Sequence, residues 1–143
     1  MGPSERFKRW FTRIHPRVYL ATGGWLGHRL GWFPTLVLQT KGRRSGLARN
    51  SALPYRRDGD SYLVIASNFG GGHPPAWLLN LQAEPRVRIL LRRRWFDVRA
   101  DAVFPGDPSY ERLWKIASSS QRVYDRYREG TSRPIPVVRL APL

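Results

Sequence analysis

A basic segment at residues 39–49 carries the side chains whose types and spacing best suit the binding of an anion. It reads Gln-Thr-Lys-Gly-Arg-Arg-Ser-Gly-Leu-Ala-Arg, so a lysine, three arginines and a serine surround two glycines. It follows the apolar run of residues 36–38, which predicts a strand that ends in a turn. Backbone N–H groups and guanidinium groups of such a turn can hold phosphate or carboxylate oxygens. The segment therefore predicts a site for an anionic ligand, although the residues alone favour a solvated turn.

The overall charge supports an anionic partner without identifying it. The 143 residues carry a net charge of +15 and are 41% hydrophobic, which suits one domain with a core. Nucleic acid, anionic lipid and a phosphorylated cofactor would all be attracted to this chain. It contains no cysteine, and its three histidines lack metal-ligand spacing, so we expect neither disulfides nor a metal site. With no long apolar run and no signal-peptide pattern, a cytoplasmic protein is expected.

The N-terminal residues 5–20 predict a basic amphipathic helix. Aromatic and aliphatic side chains recur there every three or four residues, with basic residues between them. Such a helix can pack its aromatic face on the domain or lie on an anionic membrane surface, since both uses share the pattern. We expect residues 1–22 to form this helix and residues 23–143 to form the folded domain.

The rest of the chain alternates short strands with tight turns and two helices. Strands are predicted at residues 35–39, 50–57, 61–67, 86–91, 95–103 and 135–140, and helices at 76–82 and 109–128. Asp58-Gly59-Asp60 is typical of a hairpin turn, and Arg92-Arg93-Arg94 is expected to be the solvated end of another hairpin. Strands joined by tight turns favour an antiparallel sheet. We therefore expect a mainly β fold with flanking helices (α+β), forming a small barrel or β-roll of six strands.

An ordered set of short motifs resembles one known family. These motifs are Thr40-Lys41-Gly42-Arg43-Arg44-Ser45-Gly46, Arg49-Asn50, Pro54, Asp58-Gly59-Asp60, Val64-Ile65-Ala66-Ser67-Asn68, Pro75-Ala76-Trp77, Asn80-Leu81, Pro85 and Arg133-Pro134-Ile135-Pro136-Val137-Val138. In this order and spacing, over residues 15–143, the chain is similar to the deazaflavin-dependent nitroreductase family. The resemblance implies an antiparallel split β-barrel, like the FMN-binding split barrels. It also implies an oxidoreductase that uses coenzyme F420 (8-hydroxy-5-deazaflavin), with FMN as the alternative cofactor.

The resemblance also implies where the cofactor binds. The matching positions are Arg43, Arg44, Ser45 and Arg49 at the phosphate and oligoglutamate tail; Asn50, Ser51, Ala52, Leu53, Pro54, Ile65, Ala66, Ser67 and Asn68 beside the cofactor; and Ala76, Trp77, Leu78, Leu79 and Asn80 over the deazaflavin ring. The family often has lysine where this chain has Arg44, but arginine keeps the charge and adds a donor. From the residues alone, Trp77 is as well explained as core packing, and Ser67 and Asn68 as caps of a loop.

A helix near the C-terminus is expected to form the substrate side. Tyr124 and Tyr127 lie three residues apart, and the resemblance implies that Tyr124 contacts the acceptor or donates a proton to it, with Tyr127 alongside. Core packing is the alternative for this pair. The implied reaction is hydride transfer from reduced F420 to a quinone, a nitro-aromatic compound or another activated alkene. A lipid-soluble quinone would give residues 5–20 a role at the inner face of the membrane. A homodimer is expected by analogy with other split barrels.

Two other interpretations stay open. A small barrel could bind nucleic acid through its arginines without catalysing a reaction. Its aromatic residues, however, fall mostly in predicted helices rather than along one strand, so we expect no specific nucleic acid. A flavin-binding or carrier protein of the same fold would differ in cofactor identity, which spectra of the bound ring would reveal.

Overall fold

The computed structural model describes residues 34–119 and 121–143, which form one curled antiparallel sheet with three α-helices. The elements are β1 (Thr35–Lys41), β2 (Ala48–Pro54), β3 (Arg56–Asp58), β4 (Ser61–Ile65), a 3-10 turn (Asn68–Gly70), α1 (Ala76–Ala83), β5 (Arg86–Leu91), β6 (Arg94–Val103), α2 (Tyr110–Ser118), α3 (Val123–Gly130) and β7 (Val137–Pro142). The strand order is β2-β1-β5-β6-β7-β4-β3. The predicted mainly β, antiparallel fold is therefore confirmed. The predicted helix at residues 5–20 and the boundary after residue 22 lie outside the described residues.

The strand predicted at residues 50–57 is wrong as a single element, because the chain bends at Tyr55 and gives seven strands rather than six. Tyr55 is buried, and its N–H donates to the Pro34 carbonyl (3.1 Å). On one side of this bend β2 pairs with β1, and on the other side β3 pairs with β4. The bend therefore transfers the chain from one edge of the curled sheet to the other.

The long helix predicted at residues 109–128 is also wrong, since it is divided into α2 and α3. Ser119 ends α2 because both its N–H and its hydroxyl donate to the Ile116 carbonyl (3.3 and 2.6 Å). A serine that bonds the nearby backbone competes with regular helical hydrogen bonds. The break separates α3 from α2, and it places Tyr124 and Tyr127 on a short helix.

The sheet buries apolar side chains on both of its faces. The inner face follows the alternation expected of strands, with Val87, Ile89 and Leu91 pointing inwards and Arg86 and Arg88 outwards. Helix α1 adds Trp77, Leu78 and Leu81 to this inner core. The outer face of β4 and β7 is covered by side chains of α2 and α3. The helices are thus fixed to opposite faces of one sheet.

The curled sheet is open between β2 and the second half of β4. Strand β3 pairs with β4 only as far as Leu63, and within the described residues no backbone hydrogen bond joins β2 to β4 beyond that point. Beyond the bend at Tyr55 the two strands are therefore not paired with each other among the described residues, and we call this opening in the sheet the cleft. We call the end of the barrel that holds Thr40 and α1 the α1 end. We call the opposite end, with Tyr55 and residues 92–94, the hairpin end.

Candidate functional site

Two glycines shape the turn between β1 and β2. The Gly42 N–H donates to the Leu47 carbonyl (2.7 Å), and the Gly46 N–H donates to the Gly42 carbonyl (2.8 Å). A Cβ added at Gly42 would lie 2.6 Å from Ser45 Oγ, so a larger residue would force the turn open. Gly46 has a φ of +73°, in the left-handed region that glycine adopts without strain. The glycines therefore hold the turn compact and leave its arginines in relaxed conformations.

Four cationic side chains project from this turn and the adjoining strand ends. Lys41, Arg43, Arg44 and Arg49 are exposed, and none forms a salt bridge within the described residues. The Ser45 Oγ accepts the Leu47 N–H (3.1 Å), which leaves the hydroxyl hydrogen able to bond a ligand. The predicted anion-binding positions therefore lie in one turn, and no carboxylate among the described residues neutralises their charges. We call these four cations and their turn the cation turn.

Asn80 ties the cation turn to α1. Its Oδ1 accepts the Arg43 backbone N–H (3.1 Å), and its Nδ2 donates to Thr40 Oγ1 (3.1 Å). Asn80 and Thr40 are both buried, so these bonds are shielded from water and costly to break. The amide of Asn80 thus positions the turn relative to the helix, while its predicted contact with the deazaflavin ring stays a prediction.

The remaining predicted positions on α1 differ in exposure. Trp77 and Leu78 are buried in the inner core, Leu79 is half-buried and Ala76 is exposed. The ring of Trp77 therefore serves core packing in this structure, in line with the alternative that its sequence left open. Ala76 and Leu79 are the members of this set with accessible surface.

The loop after β4 has an unusual backbone. Asn68, Phe69 and Gly70 have φ values of +45°, +57° and +75°, so three successive residues lie in the left-handed region. Such a conformation costs free energy for residues with a Cβ and persists where surrounding contacts hold it. One of those contacts is the Asn68 side chain, whose Nδ2 donates to the His73 carbonyl (2.9 Å). The predicted site residue Asn68 is therefore exposed but held in place.

Arg133 holds the loop after β4, and sequence reasoning gave it no role. Its guanidinium donates to the carbonyls of Ala66 (3.3 Å), Ser67 (2.9 Å) and Gly71 (3.2 Å). Burial lowers the pKa of Arg133, because the charge is only partly solvated. These hydrogen-bond partners are neutral carbonyl oxygens, so the guanidinium fixes the loop. Only the tertiary fold reveals this contact, since the partners are more than 60 residues apart.

The two tyrosines meet the same loop from α3. Their rings pack edge to face, with centroids 6.2 Å apart. A Cβ added at Gly70 would lie 2.7 Å from Tyr127 Cδ1, so the loop and the half-buried Tyr127 are in close contact. Tyr124 is 7% exposed within the outer core, and burial raises its pKa well above the usual range for tyrosine, with a smaller contribution from Tyr127. A buried phenol of this kind keeps its proton.

Two negative findings hold for the part of the chain that the structure describes. No group of three His, Asp or Glu side chains there could hold a metal ion. Nor is any helix among those residues long and apolar enough to span a membrane.

Known proteins resemble this chain in sequence and in fold. A family model described as F420H(2)-dependent quinone reductase matches residues 10–142. An F420H(2)-dependent quinone reductase of Mycobacterium tuberculosis is 44% identical over 130 residues, which cover 90% of this chain and 87% of that protein. A solved structure of an F420-H2 dependent reductase superimposes with a TM-score of 0.66 at 29% identity, covering 75% of this chain and 93% of the other. A further structure, described as a domain-swapped dimer, has the same TM-score and identity and covers 75% and 79%.

These similarities extend over nearly the whole chain and include the segments that form the cleft. The expected split-barrel oxidoreductase and its deazaflavin cofactor are confirmed by them. The chain therefore belongs to the F420H(2)-dependent quinone reductase family, and it is an oxidoreductase whose cofactor is coenzyme F420.

Proposed function

We propose that reduced coenzyme F420 binds in the cleft between β2 and the end of β4, and that the enzyme uses it to reduce a quinone. The observation that carries this proposal is the position of the cation turn. Asn80 fixes the turn to α1, at the α1 end of the barrel. A cofactor with a phosphate and a carboxylate-bearing tail needs such a cluster of cations beside a slot for a flat ring.

The residues present suit this cofactor. The four cations of the cation turn have no carboxylate partners within the described residues, so an incoming anion need not displace one. Arginine forks suit both phosphate and carboxylate oxygens. We therefore assign the phosphate and tail to Arg43, Arg44, Ser45 and Arg49, as the family resemblance implies.

The two strand edges at the cleft suit the ring. Residues 51–54 of β2 are half-buried, and β2 is an edge strand whose second edge pairs with no other strand of residues 34–119 and 121–143. Backbone N–H and carbonyl groups along such an edge can bond the polar rim of a heterocycle, as they would bond another strand. Ile65, Ala66 and Ser67 form the opposite side of the cleft and are largely buried. This supports the predicted ring positions on both strands, which stay a proposal.

The chain's own residues bind, orient and shield the reactants. When bound, reduced coenzyme F420 supplies the hydride, and the protein determines where the acceptor lies. The apolar side chains of α1 exclude water from one side, and the loop held by Arg133 closes another. A site of this kind accelerates transfer through position and electrostatics, with no nucleophile of its own.

For the acceptor, the structure favours Tyr127 as the direct contact. Tyr127 is half-buried beside Gly70, whereas Tyr124 lies deeper in the outer core. The Tyr127 side chain therefore keeps accessible surface that Tyr124 largely lacks. The raised pKa of Tyr124 makes it a weak acid, so we propose that it supports the Tyr127 ring and that Tyr127 or water lies closest to the acceptor. Turnover of Tyr127→Phe and Tyr124→Phe separates these roles: a larger loss for Tyr124→Phe would reverse the assignment.

Titration with coenzyme F420 tests the cofactor site directly. Quenching of tryptophan and cofactor fluorescence reports binding, and FMN and NADPH serve as control ligands. We expect Arg43→Ala to weaken F420 binding about tenfold or more, since a charge-assisted contact contributes about 1.5–3 kcal/mol. Arg99→Ala, an exposed arginine on β6, is the matched control and should change the affinity less than about twofold. Equal losses in both variants, or a preference for FMN, would contradict the proposed site.

Peripheral membrane binding and dimer formation are further parts of this proposal. The first rests on the basic amphipathic pattern of residues 5–20, and the second on the structurally similar domain-swapped dimer. Replacing Arg6, Arg9, Arg13 and Arg17 with glutamine in the full chain should abolish sedimentation with phosphatidylglycerol vesicles. Light scattering after gel filtration measures the mass, and a value near 16.6 kDa would contradict the dimer.

A further inference from the structure

The hairpin end of the barrel contains a pocket that the cofactor proposal does not use. It has a volume of about 380 Å³, within the range of small-molecule pockets. Its wall includes the rings of Tyr55, Tyr62 and Phe96, which contact one another at centroid distances of 5.5 and 6.0 Å. The pocket is lined by none of the positions assigned to the cofactor, although its Tyr55 directly follows Pro54 in the chain.

Three arginines stand around the mouth of this pocket: Arg57, Arg92 and Arg94. None of them forms a salt bridge with any carboxylate in residues 34–119 and 121–143. The Arg57 guanidinium lies over the Tyr62 ring, 5.2 Å from its centroid, and donates to the Gly59 carbonyl (3.3 Å). The pocket therefore combines an aromatic wall with a cationic rim whose charges have no carboxylate partner in the described part of the chain.

The rim is built at a conformational cost. Residues 92–93 form the two-residue turn between β5 and β6, and Arg92 and Arg93 have φ values of +50° and +68°. A turn with two left-handed residues is ordinarily made by Asn-Gly or a similar pair, because other side chains are strained there. The chain instead places arginine at both positions, and of these two Arg92 lines the pocket. Strain of this kind often accompanies a functional requirement, here the placement of Arg92 at the pocket.

The positive charges of the rim arginines also act on a side chain inside the pocket, Tyr55. Burial raises the pKa of Tyr55, while the positive charges of Arg92 and Arg57 act on the same hydroxyl in the opposite direction. The arginine charges thus favour a negative charge near the Tyr55 hydroxyl, but burial opposes one there and outweighs them. An anionic group would be stabilised best at the exposed rim, beside the guanidinium groups themselves.

We propose that this pocket binds a small aromatic carboxylate, at a site separate from the cofactor cleft. The rings of Tyr55, Tyr62 and Phe96 would contact the flat body of the ligand by offset or edge-to-face stacking. The rim arginines would bond its carboxylate through their guanidinium forks. The pocket volume accommodates one or two fused rings, and it is far smaller than F420 with its tail requires.

The test uses the full-length chain and 2-naphthoate as the probe in isothermal titration calorimetry. We expect 2-naphthoate to bind at least about tenfold more tightly than either the neutral 2-naphthamide, which lacks the charge, or inorganic phosphate, which lacks the ring. The key variant is Arg92→Asn/Arg93→Gly, which removes two charges and installs the preferred turn. It should lose about tenfold or more in naphthoate affinity while its melting temperature rises by a few degrees.

A matched double variant, Arg99→Gln/Arg126→Gln, removes the same charge from exposed positions elsewhere. It should keep naphthoate affinity within about twofold, and both double variants should keep their affinity for F420. Equal losses of naphthoate binding in the two variants would show nonspecific attraction and overturn the proposal, as would no binding to the full chain. Binding to phosphatidylglycerol vesicles that depends on Arg92 and Arg93, without naphthoate binding, would assign the hairpin end to a lipid surface and also overturn it.

Discussion

The two arginine-rich turns of this barrel differ in which residues occupy the crowded or positive-φ backbone positions. In the cation turn, glycines occupy the strained or crowded positions, and Arg43 and Arg44 have ordinary backbone conformations. In the turn of residues 92–93, the arginines themselves have positive φ values. The first turn has six residues between its strands, whereas the second has two and no room for an additional glycine.

This difference shows how loop length determines where strain falls. In a longer turn, glycines can occupy the crowded or positive-φ positions while other residues carry the charge. In a two-residue turn, the residues that adopt positive φ values must also carry the charge. The cation turn is therefore held in place from outside, by Asn80, while the shorter turn is fixed by the pairing of Leu91 with Arg94 on its two strands. We therefore expect the largest effects from mutations that remove the support of the cation turn at the α1 end.

The largest effect is expected for Asn80→Leu, which removes the support of the cation turn. The Arg43 N–H and the buried Thr40 hydroxyl would both lose their partner, at a cost of about 3 kcal/mol in the free energy of unfolding. Urea unfolding followed by tryptophan fluorescence measures this change. Gln82→Leu, an exposed change on the same helix, is the control and should be nearly neutral. Similar losses in the two variants would mean that Asn80 gives no particular support.

Gly70→Ala should have the next largest effect, because the α1 end also depends on the loop after β4. The added Cβ would meet the Tyr127 ring at 2.7 Å, and alanine would be strained at a φ of +75°. We expect a destabilisation of about 2 kcal/mol, with a matching loss of quinone turnover. At Gly72 a new methyl group would meet open space, and φ lies outside the left-handed region, so Gly72→Ala serves as the control. Unchanged turnover in Gly70→Ala would show that the loop does not need this contact.

Arg133→Lys tests whether the loop needs the several hydrogen bonds of the guanidinium group or only its positive charge. Lysine keeps the positive charge but cannot span the carbonyls of Ala66, Ser67 and Gly71 together. We expect kcat/KM for quinone reduction to fall about tenfold, or about 1.4 kcal/mol, with F420 affinity less affected. Arg139→Lys on β7 is the control. A loss confined to stability, with kcat/KM unchanged, would reduce Arg133 to a packing role.

The smallest effect concerns the connection of the hairpin end to α2. Arg112 donates to both oxygens of Asp58 (3.1 and 3.0 Å), and this hydrogen bonding lowers the pKa of the Asp58 carboxyl. Because the folded-state pKa lies below the unfolded one, the pair stabilises the fold above the unfolded pKa of about 4 and loses that effect as the pH falls through the folded pKa. Asp58→Asn should therefore lower the melting temperature slightly at pH 7 and hardly at pH 3. An equal difference at both values would contradict the ion pair.

Local patterns in the sequence predicted the strands and turns well but not the bends between them. Alternating apolar residues located β5 and β6 to within one residue, because each is a regular half-buried strand. The bend at Tyr55 left no local signal, since it depends on a bond to Pro34. The division between α2 and α3 was missed although three serines occur there, because the apolar spacing continues across them.

The candidate site shows the same limit. The cation turn was predictable because its charges and glycines are contiguous in sequence. The roles of Asn80 and Arg133 were not, because each joins segments at least 37 residues apart. Such contacts exist only after the strand order is known.

The position of β7 has a consequence for the biosynthesis of this protein. The last strand of the chain pairs with both β6 and β4, so it joins the β3–β4 hairpin to the rest of the sheet. Until β7 has emerged from the ribosome, no strand pairing among the described residues joins these two parts. We therefore expect the barrel to close only after β7 has emerged, with nascent chains that lack β7 open to protease. Resistance to pulse proteolysis in a ribosome-bound chain ending at residue 134 would contradict this order.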